Sequence, residues 1–372
     1  MKRIVLALFL TALSVALPSA AALAADKPAT PPPLSVRFLF QPQLQFTEGD
    51  APDRSSWGKD AFLRRTRVIL SGAVTDRVTI FVDTDIPNFG KGGNFSGSMY
   101  VQDAYLDVLL LKDSGLVNQL HLAGGLILLP FSHNDRQSAA SLNTLDYHVA
   151  DILFPAASQK VWRDTGIEAR GLFWNNHVDV RLGVFRGIRG NAADANPVNP
   201  EDSPRFTGRA QFNVFDAEDA FFYGGTYLGA KKILSFGAGF DTMTGWDAFT
   251  LDAFLDYPLR PDLEAVAQAG YFRYRPGAGP TALDAANGDG FDVEAGLRWK
   301  SLEPVVSFEM FDPRDQALRP ADYARNWRFG LNWWIKGHTL NLKTEYARLG
   351  TKDALGASRT RGQVTVQAQV FY

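Results

Sequence analysis

The chain contains no cysteine, so disulfide staples are excluded and the fold must hold by other means. Beyond its first 24 residues it has no run of about 18 apolar residues, which leaves no candidate for a transmembrane helix. Nor does one sign of charge dominate, with 38 Lys and Arg against 40 Asp and Glu. That balance offers no broad basic field, and no nucleic-acid partner is expected. Histidine is scarce. None of His121, His133, His148, His177 and His338 falls in a nucleophile or metal pattern, and neither G-x-S-x-G nor H-E-x-x-H occurs. No catalytic residue, metal or cofactor is expected.

What is present starts at the N-terminus. Lys2 and Arg3 precede the apolar run Ile4–Leu17, which is followed by Pro18 and closes on Ala22-Leu23-Ala24. This is the pattern of a secretory signal peptide over 1–24. A single membrane anchor is the competing reading, because the stretch is about long enough to span a bilayer. The proline, the A-x-A site and the polar ADKPATPPP that follows favour cleavage. A short proline-rich segment, 25–33, then leads into 34–372. Cleavage removes two basic residues and leaves a mildly acidic chain of about 348 residues.

Along 34–372 the recurring signal is alternation with a period of two, the mark of strands with two different faces. In LSVRFLFQPQLQF (34–46), Leu34, Val36, Phe38, Phe40, Leu44 and Phe46 oppose Ser35, Arg37, Gln41, Gln43 and Gln45. The same pattern runs through 165–173, 177–185, 205–215, 290–299 and 326–335, and through the last residues, QVTVQAQVFY. Very short links, such as Thr75-Asp76 and WNNH at 174–177, interleave with long ones at 47–59, 86–99, 129–161, 188–204, 275–289, 312–324 and 349–361. A meander of antiparallel hairpins produces that asymmetry. About 17 strands can be counted, but single-chain bacterial barrels have an even number. The segment 216–257, which shows no clear turn, is the one in question, and 16 strands are expected.

A soluble sandwich or propeller would turn the apolar faces inward. An outer-membrane barrel would turn them to lipid and the polar faces to a wet lumen, with closure removing every edge. The leader, the loop asymmetry and the aromatic residues near strand ends favour the barrel. Trp299, Trp327, Trp333, Trp334, Tyr346, Phe371 and Tyr372 are expected in the interfacial girdles.

Six segments, in this order, resemble the phosphate-selective porin O and P family of bacterial outer membranes: FLRRTRVILSGAV (62–74), VQDAYLDV (101–108), GLILLPFS (125–132), RDTGIEARG (163–171), TYLGAKKILSFGAGFD (226–241) and GHTLNLKTEYARL (337–349). The resemblance implies a passive outer-membrane channel in a Gram-negative-type bacterium. It further implies a homotrimer of about 16-stranded barrels, with the long third loop, 129–161, folded inward as a constriction. Where the family segment reads like GQFKxPFS, this chain carries Leu126 and Leu128. The lysine beside the constriction is therefore missing.

On this reading the solutes are small and hydrophilic, with anions such as phosphate among the candidates. The barrel contacts outer-membrane lipid, and its last strand is read by the barrel assembly machinery. The alternatives are a secreted or periplasmic β-rich binding protein and a barrel-borne lipid hydrolase. By alternation, the pore-lining cations are Arg37, Arg65, Arg67, Arg170, Arg181, Arg209, Arg298, Arg328 and Lys343, with Glu168, Asp179, Asp292, Glu294 and Glu345 on the same faces. Arg65 and Arg67 either meet permeating anions or anchor a loop carboxylate. Arg64, of opposite parity, should sit at a strand end or a subunit contact. Asp83 and Asp85 are expected in an arginine-paired wall rather than a divalent-ion site. The glycine-rich FGKGGN (89–94) and FGAGF (236–240) lack the context of a phosphate cradle.

Overall fold

The structure is a computed structural model that describes residues 34–149, 162–188, 199–276, 287–314, 323–352 and 355–372. The leader and the proline-rich segment, 1–33, lie outside the described residues. The first half of the meander consists of β1 (Ser35–Thr47), β2 (Gly58–Ala73), β3 (Val78–Asp85), β4 (Tyr100–Ser114), β5 (Val117–Leu128), β6 (Arg163–Phe173), β7 (Val178–Phe185) and β8 (Arg205–Asn213). The second half consists of β9 (Ile233–Met243), β10 (Trp246–Arg260), β11 (Leu263–Pro276), β12 (Gly288–Trp299), β13 (Leu302–Pro313), β14 (Ala324–His338), β15 (Leu340–Lys352) and β16 (Ser358–Phe371).

Each strand pairs antiparallel with its neighbours in sequence, and β1 pairs with β16, so the sheet closes into a 16-stranded barrel. The seam runs from Thr47 opposite Gln363 to Leu39 opposite Phe371, and Phe38 and Tyr372 exchange both backbone hydrogen bonds. Closure leaves no ladder edge, which is why the alternation persists to the last residues.

The faces fall as the alternation predicts. Val36, Phe38, Phe40 and Leu44 of β1 are exposed on the outside, while Gln41 and Gln43 are buried inside. Trp299, Trp327, Trp333, Tyr346 and Tyr372 also turn outward. Two expected girdle residues do not. Trp334 is only 4% exposed, because the β14–β15 register shifts between Trp333 and Lys336, and its indole N–H donates to Glu303 Oε2 at 2.6 Å. Phe371 turns inward beneath the Arg37 guanidinium, 5.9 Å from its ring centre.

Arg64 is likewise neither at a strand end nor on the outer face. Gln41 pairs with Arg65 and Pro42 with Leu63, so Arg64 is the extra residue of a β-bulge. A bulge reverses the parity of the strand that carries it. Here it lets Arg64 and Arg65 reach the same interior carboxylate.

Candidate functional site

The interior is filled by two connections that enter from opposite ends. The first follows β5, and its described part, 129–149, is almost wholly buried inside the barrel. It is the inward-folded third loop expected above. Its backbone crosses the wall at Gly239, where a Cβ would overlap the Phe131 carbonyl oxygen. Phe131 packs 6.2 Å from the rings of Phe272 and Tyr274.

Farther along, wall side chains cap the loop's carbonyls. Gln41 donates to Ala139 O at 3.1 Å, Gln369 to Ala140 O at 2.8 Å and Asn332 to Asn143 O at 2.8 Å. The Lys343 ammonium donates to Leu142 O. Each bond satisfies a backbone acceptor that burial would otherwise leave unpaired.

The second connection, 214–232 between β8 and β9, leaves from the end that otherwise carries short turns. It covers the start of 216–257, the stretch in which sequence reasoning found no turn and which goes on into β9 and β10. Rather than a seventeenth strand, it is a loop that rises into the lumen and meets the first. Ser138 N donates to Tyr223 O and Tyr223 N to Arg136 O, both at 2.9 Å. Gly225 donates to Ser141 Oγ at 3.0 Å, and a Cβ on Gly225 would collide with the backbone of Ser141 and Leu142. Arg136 stacks over Phe221 at 4.5 Å. His133 Nε2 contacts the Glu218 carboxylate at 3.0 Å.

The structure puts all nine sequence-derived cations on the interior face, and seven of them are neutralised there. Arg65 meets Asp146 at 2.6 Å, so it anchors a loop carboxylate. Arg67 is shared by Asp83 at 3.1 Å and Asp85 at 3.2 Å, the arginine-paired wall expected for those acids. Arg170 and Arg181 both bind Asp179, at 3.0 and 2.9 Å. Arg209 grips Asp252 through two bonds of 2.6 and 2.7 Å, Arg298 pairs with Glu264, and Arg328 bridges Glu309 and Glu345, each at 2.8 Å. Lys343 is held by loop carbonyls. Among the described residues, Arg37 has no carboxylate within 4 Å and no hydrogen-bond partner for its buried Nε. Buried pairs of this kind contribute little net stability but are costly to break singly, so they fix the shape of the lumen.

Three loop groups carry the electrostatics of the first connection. Burial alone would raise the Asp146 carboxyl, but the Arg64 and Arg65 charges outweigh it and hold it below the usual carboxylate range. His148 sits among Glu309 and Glu294, both at 3.3 Å, and Asp292 at 3.7 Å. Burial opposes its charge, yet the three acids hold the imidazole protonated well above its ordinary value. Asp135 shows the reverse balance: burial outweighs Arg136 and Arg209 and pushes its carboxyl up to about 7.

Sequence reasoning missed the anchors Asp146 and His148 and the whole 214–232 loop. The available signals were the adjacent inward pair Arg64-Arg65, which breaks the alternation, and the aromatic run Phe221-Phe222-Tyr223 in a stretch without strand periodicity.

A cavity of about 350 Å³ remains inside the barrel, lined by residues of β1–β4, both inner loops, Arg163 and Phe371.

No protein-family model matches the chain, and no curated protein matches its sequence. Its fold does match solved outer-membrane channels. The channel DcaP of Acinetobacter baumannii superposes with a TM-score of 0.58 at 12% identity, over 91% of this chain and 97% of that one. OmpF of Salmonella typhi, solved in complex with daunomycin, gives 0.56 at 9% identity over 91% and 97%. A triple mutant of the Rhodopseudomonas blastica porin gives 0.53 at 11% identity over 91% and 100%. At such identities the likeness is one of fold: the chain has the 16-stranded porin barrel.

Proposed function

We propose that the protein is a passive outer-membrane porin that admits small hydrophilic solutes down their gradient. The single observation that carries this reading is a closed barrel whose outer face is apolar and whose inner face is charged. Only a membrane setting places both surfaces in the medium that suits them. On this reading 1–24 is a cleaved leader, 34–372 is the barrel, and three copies associate as a homotrimer. The final strand, followed by the outward aromatic Tyr372, is the element recognised by the assembly machinery.

Phosphate selectivity is not part of the proposal. The resemblance to the phosphate-selective family rests on the six segments quoted above, and Leu128 stands where the family's constriction lysine would be. Leu128 is buried in the aromatic cluster around Phe131. Seven of the nine sequence-derived cations are occupied by carboxylates, which leaves few of them free to strip water from a phosphate. A hydrolase is also disfavoured. His133 is engaged by Glu218 at Nε2 and by Gln137 at Nδ1, so neither ring nitrogen is free for Ser132.

The test is conductance and reversal potential in a planar bilayer under a salt gradient, with phosphate added as a blocker. Stepwise conductance without tight phosphate block is expected. Release of the protein by osmotic shock as a soluble species, or the absence of any current, would overturn the reading, and micromolar phosphate block would restore phosphate specificity.

A further inference from the structure

The interior cavity has a charge arrangement that selects among solutes. Arg37, Ile69 and Asp83 form one inward row across three strands, since Arg37 pairs with Ile69 and Ile69 with Asp83. The backbones of Arg37 and Asp83 are therefore two strand spacings, or about 10 Å, apart. At the first position the guanidinium has no carboxylate partner among the described residues, and its Nε is buried without a hydrogen bond. At the third position two carboxylates, Asp83 and Asp85, share the single charge of Arg67. Asp83 is 3% exposed, and its Oδ1 is buried without a partner. The next arginine on the wall, Arg163, is matched by Asp103 at 3.1 Å.

These charges sum to zero, with one excess positive group and one excess negative group at separate positions on the lining. A free anion would gain from Arg37 and be repelled by the Asp83–Asp85 pair. A free cation would meet the opposite arrangement. A solute bearing both charges satisfies both ends.

The rest of the lining fits a flat apolar body. Tyr105 stacks on Phe221 at 4.7 Å, Phe81 stacks on Tyr105 at 5.3 Å, and Phe222 closes the cluster 5.4 Å from Phe81. Two of these rings belong to the 214–232 loop, so the wall exists only because that loop enters the lumen. The volume of about 350 Å³ lies within the range of small-molecule sites.

We infer that this cavity is a binding station for a zwitterion with an aromatic or flat apolar body, of the class of an aromatic amino acid. Its carboxylate meets Arg37, its ammonium meets Asp83 Oδ1, and its ring lies against the Tyr105–Phe221–Phe222 wall. The inference rests on the channel reading above, which it narrows to a solute class.

The experiment uses three probes of matched size: L-phenylalanine, 3-phenylpropionate and 2-phenylethylammonium. Calorimetry on the full chain in detergent measures affinity, and block of single-channel current measures access. L-Phenylalanine should bind about tenfold more tightly than either singly charged probe, a difference of about 1.4 kcal/mol. Arg37→Gln should weaken phenylalanine and phenylpropionate and spare phenylethylammonium. Asp83→Asn should do the converse. Because Asp83 also holds Arg67, Phe222→Ala serves as a second variant that keeps every charge and should weaken all three probes alike, with heat-modifiable gel migration showing that each variant is folded.

Equal affinity for the three probes, or an Arg37→Gln protein that binds phenylalanine unchanged, overturns the inference while the channel reading stands. Absence of current in salt alone overturns the channel reading, and calorimetry still decides the site.

Discussion

Arg65 Nη2 lies 2.6 Å from Asp146 Oδ1, and Arg64 Nε donates to Oδ2 of the same carboxylate at 2.7 Å. One acid on the inner loop thus bridges two consecutive arginines on the wall, which a bulge-free strand would turn to opposite faces. Asp146→Asn leaves two adjacent guanidiniums without a counter-charge. The cost should be about 3 kcal/mol, the low end for a broken buried pair, because the Asp146 side chain keeps 28% of its surface exposed. Denaturant titration in lipid measures that loss. Single-channel conductance should rise as the loop loses its tether.

The same pair sets an acid limit. The Asp146 carboxyl is held below its unfolded value, so its contribution is fully present above about pH 4, the ordinary carboxylate value, and is lost as pH falls through the lower folded value. Current should be quiet at neutral pH and become noisy only in strong acid. Noise that begins near pH 5 would show that Asp146 is not the tether.

His148 sets a limit in the other direction. Its folded value is raised, so the stability it adds is complete below about pH 6.5, the ordinary histidine value, and disappears as pH rises through the raised value. His148→Gln should abolish this alkaline transition and lower the unfolding midpoint at pH 6. It leaves Asp292, Glu294 and Glu309 facing one another, with Arg328 paired to Glu309 at 2.8 Å. Midpoints measured against pH for the two proteins should converge at high pH; curves that stay parallel would remove His148 from the balance.

Gly239 tests whether the inner loop is seated by backbone contact. Because a Cβ there overlaps Phe131 O, Gly239→Ala should cost about 1–3 kcal/mol, the range for overpacking, and displace the loop toward the lumen axis. Gly124→Ala is the control, since its new Cβ would meet nothing closer than Gly166 O at 4.0 Å. The readout is the temperature at which the folded gel band is lost, which should fall for the first variant and hold for the second.

The barrel itself was legible because its rule is local. Period-two alternation needs only neighbours in sequence, and from β1 to QVTVQAQVFY it assigns the faces; by itself it counts about 17 strands, and the even number 16 came from the rule for closed single-chain bacterial barrels. Wherever the rule was interrupted, the interruption carried a structural device. Arg64-Arg65 marks a bulge, Trp333-Trp334 lies at a register shift, and the unpatterned 214–232 is a loop inside the barrel. The pairing of the interior charges could not be read in the same way. Arg209 finds Asp252 and His148 finds Glu309 across 43 and 161 residues, contacts set by closure of the sheet and the path of two loops rather than by any local spacing.

Phe329 on β14 tests which medium the outer face meets. It is 53% exposed and directed away from the lumen, in a row with Trp327 and Leu331. If that row faces hydrocarbon, Phe329→Arg should cost about 2–4 kcal/mol near the midplane. If it faces water, an exposed substitution of this kind should change stability by about 0.5 kcal/mol or less. Refolding into lipid vesicles and into short-chain detergent separates the cases, because only the bilayer holds the arginine at fixed depth. A penalty in vesicles that shrinks in detergent is expected. Equal, negligible effects in both media would return the apolar face to solvent and with it the soluble β-rich alternative.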